Sequence, residues 1–539
     1  MEKIKFGRRG GRIRALLWGL SFMGNTIDLP IPSRELKPGV SLCMIVRDAA
    51  NTLHSCLRSI RPWVNEIIVV DTGSVDGTPE LASQYDVKLF HFLWRDDFSV
   101  ARNESLCYAQ HQWLFWMDAD DVIDEKNGRK LQGLIEQQIS DHILGFVLQV
   151  QCPGARPDDL TVVDHVKVFR NQPDLRFEGR IHEQILPSIR RAGGDVLFTD
   201  IFVVHAGADQ SPEGRRRKHA RDLRLLMLEA ADRPNHPFTL FNLGMTYLDA
   251  GMHAEAVIAL EASRVFSVTT ESHVRKLYAL LAAGYLGLGR DQQALAICRE
   301  GLRIYPEDVE LLFRLGVIAH RNHNLEEARD AYVRLLQGKS DRVFSSCDSA
   351  LNGYKAKYNL GCVYQDMGRL EDAELVLRES IQEQPTFSPA VYALIDILLA
   401  EQKLEDASRT LEEVSEALSE SDVLILKSRI AVVQGNSSQV QTALNEYIAS
   451  HPDDIAVLRE LCSLLFSSGD FTAAETALSR LVELANDDAS AFHNLGLVRF
   501  HLGRSADAVE PLQRAMALRP NWPATEELLA ACNRSKGGH

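Results

Sequence analysis

From Gly251 onward the chain repeats itself, and the length of the repeat restricts the architecture before any single residue is considered. Gly251, Gly289, His323, Gly368, Gln402, Gly435, Gly469 and Gly503 occupy one equivalent turn position. Most intervals are 33 or 34 residues, with longer ones where loops are inserted. Leu243-Gly244-x-x-Tyr247, Leu360-Gly361-x-x-Tyr364 and Leu495-Gly496 precede that turn. Small residues follow it at Ala256, Ala294, Ala328, Ala373, Ala407, Ala474 and Ala508, where paired helices cross. Pro306, Pro385, Pro452 and Pro520 close several units. A unit of this size holds two helices and a turn, cannot bury its apolar face alone, and therefore stacks on its neighbours.

This spacing is the tetratricopeptide signature, and it predicts an all-α TPR solenoid of about eight repeats over residues 236–539. Such stacks present a concave surface to proteins or peptides. The insertion between Gly338 and Gly353 is expected to be a loop on one face. Nothing in the repeats resembles a catalytic constellation.

The preceding half has another period. Residues 41–46, 66–71, 87–92 and 113–117 are short apolar runs that read as buried strands, and 51–60 and 99–109 read as helices. Strand–helix alternation at this spacing implies parallel strands with right-handed crossovers, an α/β, Rossmann-like domain. Thr78 is expected to cap a helix opening on Pro79. No G-x-G-x-x-G follows the first strand and no G-x-x-x-x-G-K-[ST] occurs, which argues against a dinucleotide coenzyme and excludes a P-loop. His182-Glu183 begins like a zinc-protease helix but lacks the second histidine.

The polar residues at the strand ends are Asp71, Asp76 and the run Asp118-Ala119-Asp120-Asp121. Three carboxylates directly after the wholly apolar 113–117 are costly unless they face solvent or a cation. Open α/β sheets bind ligands beyond the carboxyl ends of their strands. Oxygen ligands suit a divalent cation, which in turn holds a pyrophosphate. The plainer alternative is a solvated acidic turn capping the next helix.

Taken in order, a set of motifs runs through this half. It comprises Met44-Ile45-Val46-Arg47-Asp48, Cys56-Leu57-Arg58-Ser59-Ile60, the stretch from Glu66 to Thr78, and Asp97-Phe98-Ser99-Val100-Ala101-Arg102-Asn103. Met117-Asp118-Ala119-Asp120-Asp121, Phe177-Glu178-Gly179-Arg180-Ile181-His182-Glu183 and Val204-His205-Ala206-Gly207 complete it. Over residues 40–260 the set resembles inverting glycosyltransferases of family 2, with the GT-A fold, in the bacterial branch where tetratricopeptide repeats follow. The first loop departs from the family pattern, with Arg47-Asp48-Ala49-Ala50 in place of Lys-Asn-Glu-Glu, and Asp121 replaces the usual glutamate.

The resemblance implies a nucleotide-sugar donor, expected to be a UDP-sugar, and a divalent metal, Mn2+ or Mg2+. Asp120 would ligate the metal, Asp118 would meet the metal or the ribose, and His205 would complete the shell. Asp71 would accept hydrogen bonds from uracil or ribose, with Asp76 also on the donor side. Arg102 and Asn103 would contact nucleotide or diphosphate, against the alternative of an Arg102 ion pair with Asp96 or Asp97. Glu183 would be the base, with His182 orienting it or binding substrate; the alternative is a helix-start glutamate favoured by the macrodipole. A thiol acceptor would need less base assistance, since it ionises more readily than a hydroxyl.

The expected divisions are a basic extension over 1–38, the GT-A domain over 39–210, a basic helical linker over 211–235, and the repeats. A net charge of -15 argues against a general nucleic-acid binder. Nine cysteines without a C-x-x-C pair suit a reduced, cytoplasmic compartment. Lys3, Lys5, Arg8, Arg9, Arg12 and Arg14 precede an apolar run at 15–23 too short to span a bilayer, leaving peripheral contact with anionic lipid as an option. Three functions fit these residues: transfer of a sugar to a protein or peptide recruited by the repeats, transfer to a surface glycan or lipid-linked acceptor, and a non-catalytic scaffold. A nucleotidylyltransferase would want a Gly-rich loop that residues 47–51 do not supply.

Overall fold

The computed structural model describes residues 35–153, 160–205, 207, 211–338, 347–348, 350–435 and 437–536. The basic N-terminal run and its proposed lipid contact lie outside them. Four parallel strands come first: β1 (Lys37–Val46), β2 (Glu66–Asp71), β3 (Lys88–His91) and β4 (His111–Trp116), arranged β3-β2-β1-β4. Helices α1 (Ala50–Ile60), α2 (Thr78–Ala82) and α3 (Phe98–Tyr108) make the crossovers. Alternate strand residues feed two cores, as expected of a sheet covered on both faces. Leu42, Met44, Val69 and Phe115 pack with Leu53, Leu57 and Ile60 of α1. Cys43, Ile68, Val70 and Leu114 pack on the other side with Leu106 of α3.

The α2 start differs from the expectation. Thr78 is the first helical residue, and its hydroxyl accepts the Ala49 N–H at 2.8 Å. Asp76 instead accepts the Thr78 N–H at 3.1 Å and the Ala50 N–H at 3.0 Å, tying the α1 and α2 entries together.

Beyond β4 the sheet becomes mixed. After β5 (Asp121–Val122) and α4 (Glu125–Ile135), strands β6 (Ile143–Pro153) and β7 (Leu160–Arg170) pair antiparallel, and β7 lies antiparallel to β4. Helix α5 (Leu186–Arg191) leads to β8 (Asp195–His205), which runs parallel to β6 and pairs antiparallel with β5. Helix α6 (Pro212–Asp232) then carries the chain to the repeats.

Eight helix pairs follow among the described residues, from Pro237–Asp249 with His253–Phe266 to Ala489–His501 with Ser505–Leu518, and Pro523–Lys536 ends the stack. All eight equivalent turn positions adopt the left-handed conformation, with φ between 58 and 77°, including the non-glycine His323 and Gln402. The seven alanines after the turns are 0% exposed. In the insertion, Cys347–Asp348 forms a short strand, β9, rather than loop alone. It pairs antiparallel with Thr161 and Val162 of β7, so the repeat half adds a strand to the α/β sheet.

Candidate active site

Sheet topology gathers the site. Strand β4 delivers Asp118 at its carboxyl end, and a tight turn follows in which the Asp121 N–H donates to the Asp118 carbonyl at 3.1 Å. The Asp118 N–H donates back to Asp121 Oδ2 at 3.0 Å. Pairing of β5 with β8 sets Asp121 opposite His205, whose Nδ1 lies 2.9 Å from Asp121 Oδ1. From β7, the Lys167 ammonium reaches Asp121 Oδ2 at 2.7 Å and covers the Trp116 ring at 3.7 Å. The Asp121 and Lys167 side chains are 0% and 2% exposed, so each charge depends on the other for compensation. Burial alone would raise the Asp121 carboxyl, but Lys167 and the His205 hydrogen bond hold it well below the usual carboxylate range.

A second ion-pair system adjoins the first. Arg102, buried in α3, donates from Nη2 to Asp118 Oδ1 at 2.7 Å and from Nε to Glu183. Its guanidinium lies 4.3 Å from the centre of the Trp116 ring, and Nη1 has no partner. Burial would raise Asp118, yet Arg102 and Lys167 lower it. Asp120 behaves oppositely. Burial raises its carboxyl, His205 partly offsets this, and the neighbouring Asp118 and Asp121 add to the rise. His205 is raised by its bond to Asp121 and by the nearby acids. Asp118, Asp121 and His205 bring ligand atoms within 4.8 Å of one another, and Asp120 Oδ1 lies 3.5 Å from His205 Nδ1. An acid made unfavourable as an anion by burial, with two further carboxylates beside it, marks a place where an added cation would be welcome.

The strand-end acids, Arg102 and Lys167 lie within residues 41–180, which match the model of Glycosyl transferase family 2, with Glu183 and His205 just beyond, while 279–342, 364–430 and 459–523 match tetratricopeptide repeat models. Residues 41–180 carry a family 2 glycosyltransferase domain. Tetratricopeptide repeats follow it. A TPR repeat-containing protein of Synechococcus elongatus is 28% identical over 355 residues, covering 64% of this chain and 76% of that one. The SPbeta prophage-derived glycosyltransferase SunS of Bacillus subtilis is 26% identical over 214 residues, 38% of this chain and 49% of SunS. The match thus spans about half the length of SunS.

Within the glycosyltransferase domain the remaining predicted residues fall into two groups. Glu183 faces Arg102 from a loop closed by a bridge between Glu178 and Gln184, not from a helix start. His182 beside it has φ 53° and a buried Nε2 without a partner, and burial lowers its pKa. Arg102 pairs with neither Asp96, which binds Arg224, nor Asp97, which caps α3. The other group serves the scaffold. Asn103 Nδ2 donates to the Phe177 carbonyl at 2.9 Å and its Oδ1 accepts the Phe177 N–H at 2.8 Å, a clamp on that backbone. Asp76 holds the α1 and α2 entries described above. Asp71 is buried at the end of β2 and accepts the Gly73 and Ser74 N–H groups at 3.1 and 3.2 Å.

Lys167 and His165 were not anticipated. They share one face of β7, where His165 meets Trp116 edge to face at 5.9 Å and burial, with Lys167 nearby, pushes its pKa down to about 4. A charged residue inside Val166-Lys167-Val168-Phe169 was the available signal, since an unpaired lysine does not enter an apolar strand.

Proposed function

We propose that this protein is an inverting glycosyltransferase that moves a sugar from a nucleotide-sugar donor, a UDP-sugar by preference, to an acceptor recruited by the repeats. The supporting observation is Arg102, one buried side chain that pairs with both an acid of the strand-end turn and Glu183. It joins the place where a diphosphate would be held to the place where a proton would be taken. In an inverting transfer the acceptor attacks the anomeric carbon as the bond to the diphosphate breaks, and the acceptor proton passes to a base in the same step. Glu183 is that base. His182, kept neutral by burial, flanks it.

The unpartnered Nη1 of Arg102 supplies a donor for a diphosphate oxygen. Asp118, Asp120 and His205 would hold a divalent cation, whose charge stabilises the departing diphosphate. The residues present fit such an ion. The Asp121 hydrogen bond at Nδ1 of His205 leaves Nε2 as the lone-pair donor, and Asp120 is the strand-end acid whose burial, beside two other carboxylates, disfavours its charge. Asp121 orders the turn beneath them. The acceptor is read as a protein or peptide because tetratricopeptide stacks expose an extended concave surface. Among the described residues no helix is long and apolar enough to cross a membrane. We read the protein as cytoplasmic, since Cys43, Cys56, Cys298 and Cys462 are buried thiols outside any disulfide.

Nucleotide release from UDP-, GDP- and dTDP-sugars, with Mn2+, Mg2+ or EDTA, tests this reading. Metal-dependent release from one donor, lost in Asp120→Asn, is expected. Release unaffected by EDTA would remove the metal assignment, and equal activity in the variant would remove Asp120 from the site.

A further inference from the structure

The loop that carries Glu183 is held from outside the sheet. Gly179 turns at φ 97°, and the non-glycine His182 sits at φ 53°, a shape that it holds only where the surroundings over-determine it. Arg180, between them, makes most of the fixing contacts. Its N–H donates to Glu229 Oε2 at 3.1 Å, its Nε donates to Asp232 Oδ2 at 2.9 Å, and its carbonyl accepts the Phe98 N–H at 2.8 Å. Glu229 and Asp232 belong to α6, the helix expected as a basic linker, yet Glu229 is buried. Burying a carboxylate is costly unless it is hydrogen-bonded, and the Arg180 N–H and the Arg233 guanidinium are its partners.

The same helix also reaches the other side of the site. Arg224 of α6 grips Asp96 through two hydrogen bonds of 2.6 and 2.9 Å, next to Asp97, whose side chain caps α3. Helix α3 carries Arg102. Both members of the Arg102–Glu183 pair are thus attached to α6, one through Asp96 and one through Arg180. Ile181 packs with Leu225 and Leu226 of α6 and with Leu243 and Ala259 of the first repeat, so the attachment continues into the repeat array.

We propose that α6 is a positioning element of the active site. Glu229 and Asp232, acting through Arg180, set Glu183 against Arg102 and couple the first repeat to the base. The inference rests on the reading of Glu183 as the base. It extends that reading by making the repeat array a determinant of turnover as well as of acceptor capture.

The test uses the full chain with Mn2+ and the UDP-sugar that the wild type turns over, water serving as acceptor, with calorimetric donor binding in the same samples. Glu229→Ala is expected to lower kcat about tenfold or more, since small misplacements of a reacting group carry large rate penalties. Donor KM, affinity and binding stoichiometry are expected to stay within about twofold, which separates misplacement from a loss of folded protein. Glu229→Gln, whose amide oxygen still accepts the Arg180 N–H, is expected to remain within about threefold of wild type. Asp232→Ala, at a half-exposed position, gives a second probe if Glu229→Ala fails to fold, and is expected to lower kcat in the same selective way. Wild-type turnover in Glu229→Ala, a matching loss of donor binding, or equal damage from Gln and Ala would overturn the proposal. Donor binding without turnover in the wild type would remove the base reading and the proposal with it. Absence of donor binding in the wild type would instead overturn the reading of the whole site.

Discussion

The two halves of the chain treat charge and packing in opposite ways. In the glycosyltransferase domain the decisive contacts are ionic and buried, with Asp121 on Lys167, and Arg102 on Asp118 and Glu183. In the repeats the buried contacts are alanine and leucine, as where Gly361 and Ala373 leave room for Leu377. Repeat ion pairs such as Arg299–Glu327 and Arg504–Glu475 lie at the surface, where each is worth about 0–1 kcal/mol. A stack that gains stability from many equivalent interfaces tolerates the loss of any one pair. A site assembled from single buried charges does not.

Removing one partner of the buried pair should have the largest effect. Lys167→Met leaves Asp121 buried with only His205 and the Asp118 N–H as partners, and removing one member of a buried pair typically costs about 3–5 kcal/mol. Urea unfolding followed by the Trp113 and Trp116 fluorescence would measure this; a loss below about 1 kcal/mol would show that the pair is not as dry as its burial implies. The pH dependence has a definite sign. The folded Asp121 pKa is depressed, so its contribution is fully present above the ordinary value near 3.8 and is lost as pH falls through the folded value. Wild type should therefore lose stability in acid below about pH 4 more steeply than Lys167→Met does.

Overpacking a repeat should have an intermediate and local effect. Ala373→Leu crowds a crossing that is 0% exposed and should cost about 1–3 kcal/mol while donor hydrolysis is retained. Thermal unfolding beside nucleotide release separates the two. Loss of hydrolysis at full stability would break the contrast between the halves.

These differences also explain what was legible beforehand. The repeat turns are local events: each needs a residue tolerant of positive φ and a small residue a few positions later, and both stand in the sequence within one unit. The strand-end acids were legible for the same reason, because the apolar run and the carboxylates are contiguous. The pairings of those acids were not, even where the family resemblance had named the residue. His205 lies 84 residues from Asp121, Lys167 lies 46 away, and Arg102 reaches 81 residues to Glu183. Such pairs exist only once the mixed sheet has set β7 and β8 beside β4 and β5. Asn103 shows the same limit, since its clamp on the Phe177 backbone, 74 residues away, is not announced by the motif that contains it. The strand at Cys347–Asp348 likewise depends on an edge of β7 that no local pattern announces.

The smallest expected effect returns to the repeat turns. Gln402 holds φ 59° where most equivalent positions have glycine, and an L-residue pays roughly 1–2 kcal/mol for that conformation. Against glycine's greater unfolded entropy, Gln402→Gly should gain at most about 1 kcal/mol. A rise in Tm without a change in turnover is the expected readout, and a clear fall would show that the Gln402 side chain is needed there.

The measurement that bears most directly on the site is calorimetry of the preferred UDP-sugar, with and without Mn2+, on wild type and Asp120→Asn. Asp120 is disfavoured as an anion by burial and by the acids beside it, so the variant should melt at or above the wild-type temperature in the absence of metal. It should also lose the Mn2+-dependent part of donor binding. Donor binding that is indifferent to Mn2+ and equal in both proteins would contradict the assignment of the strand-end acids as a metal and donor site.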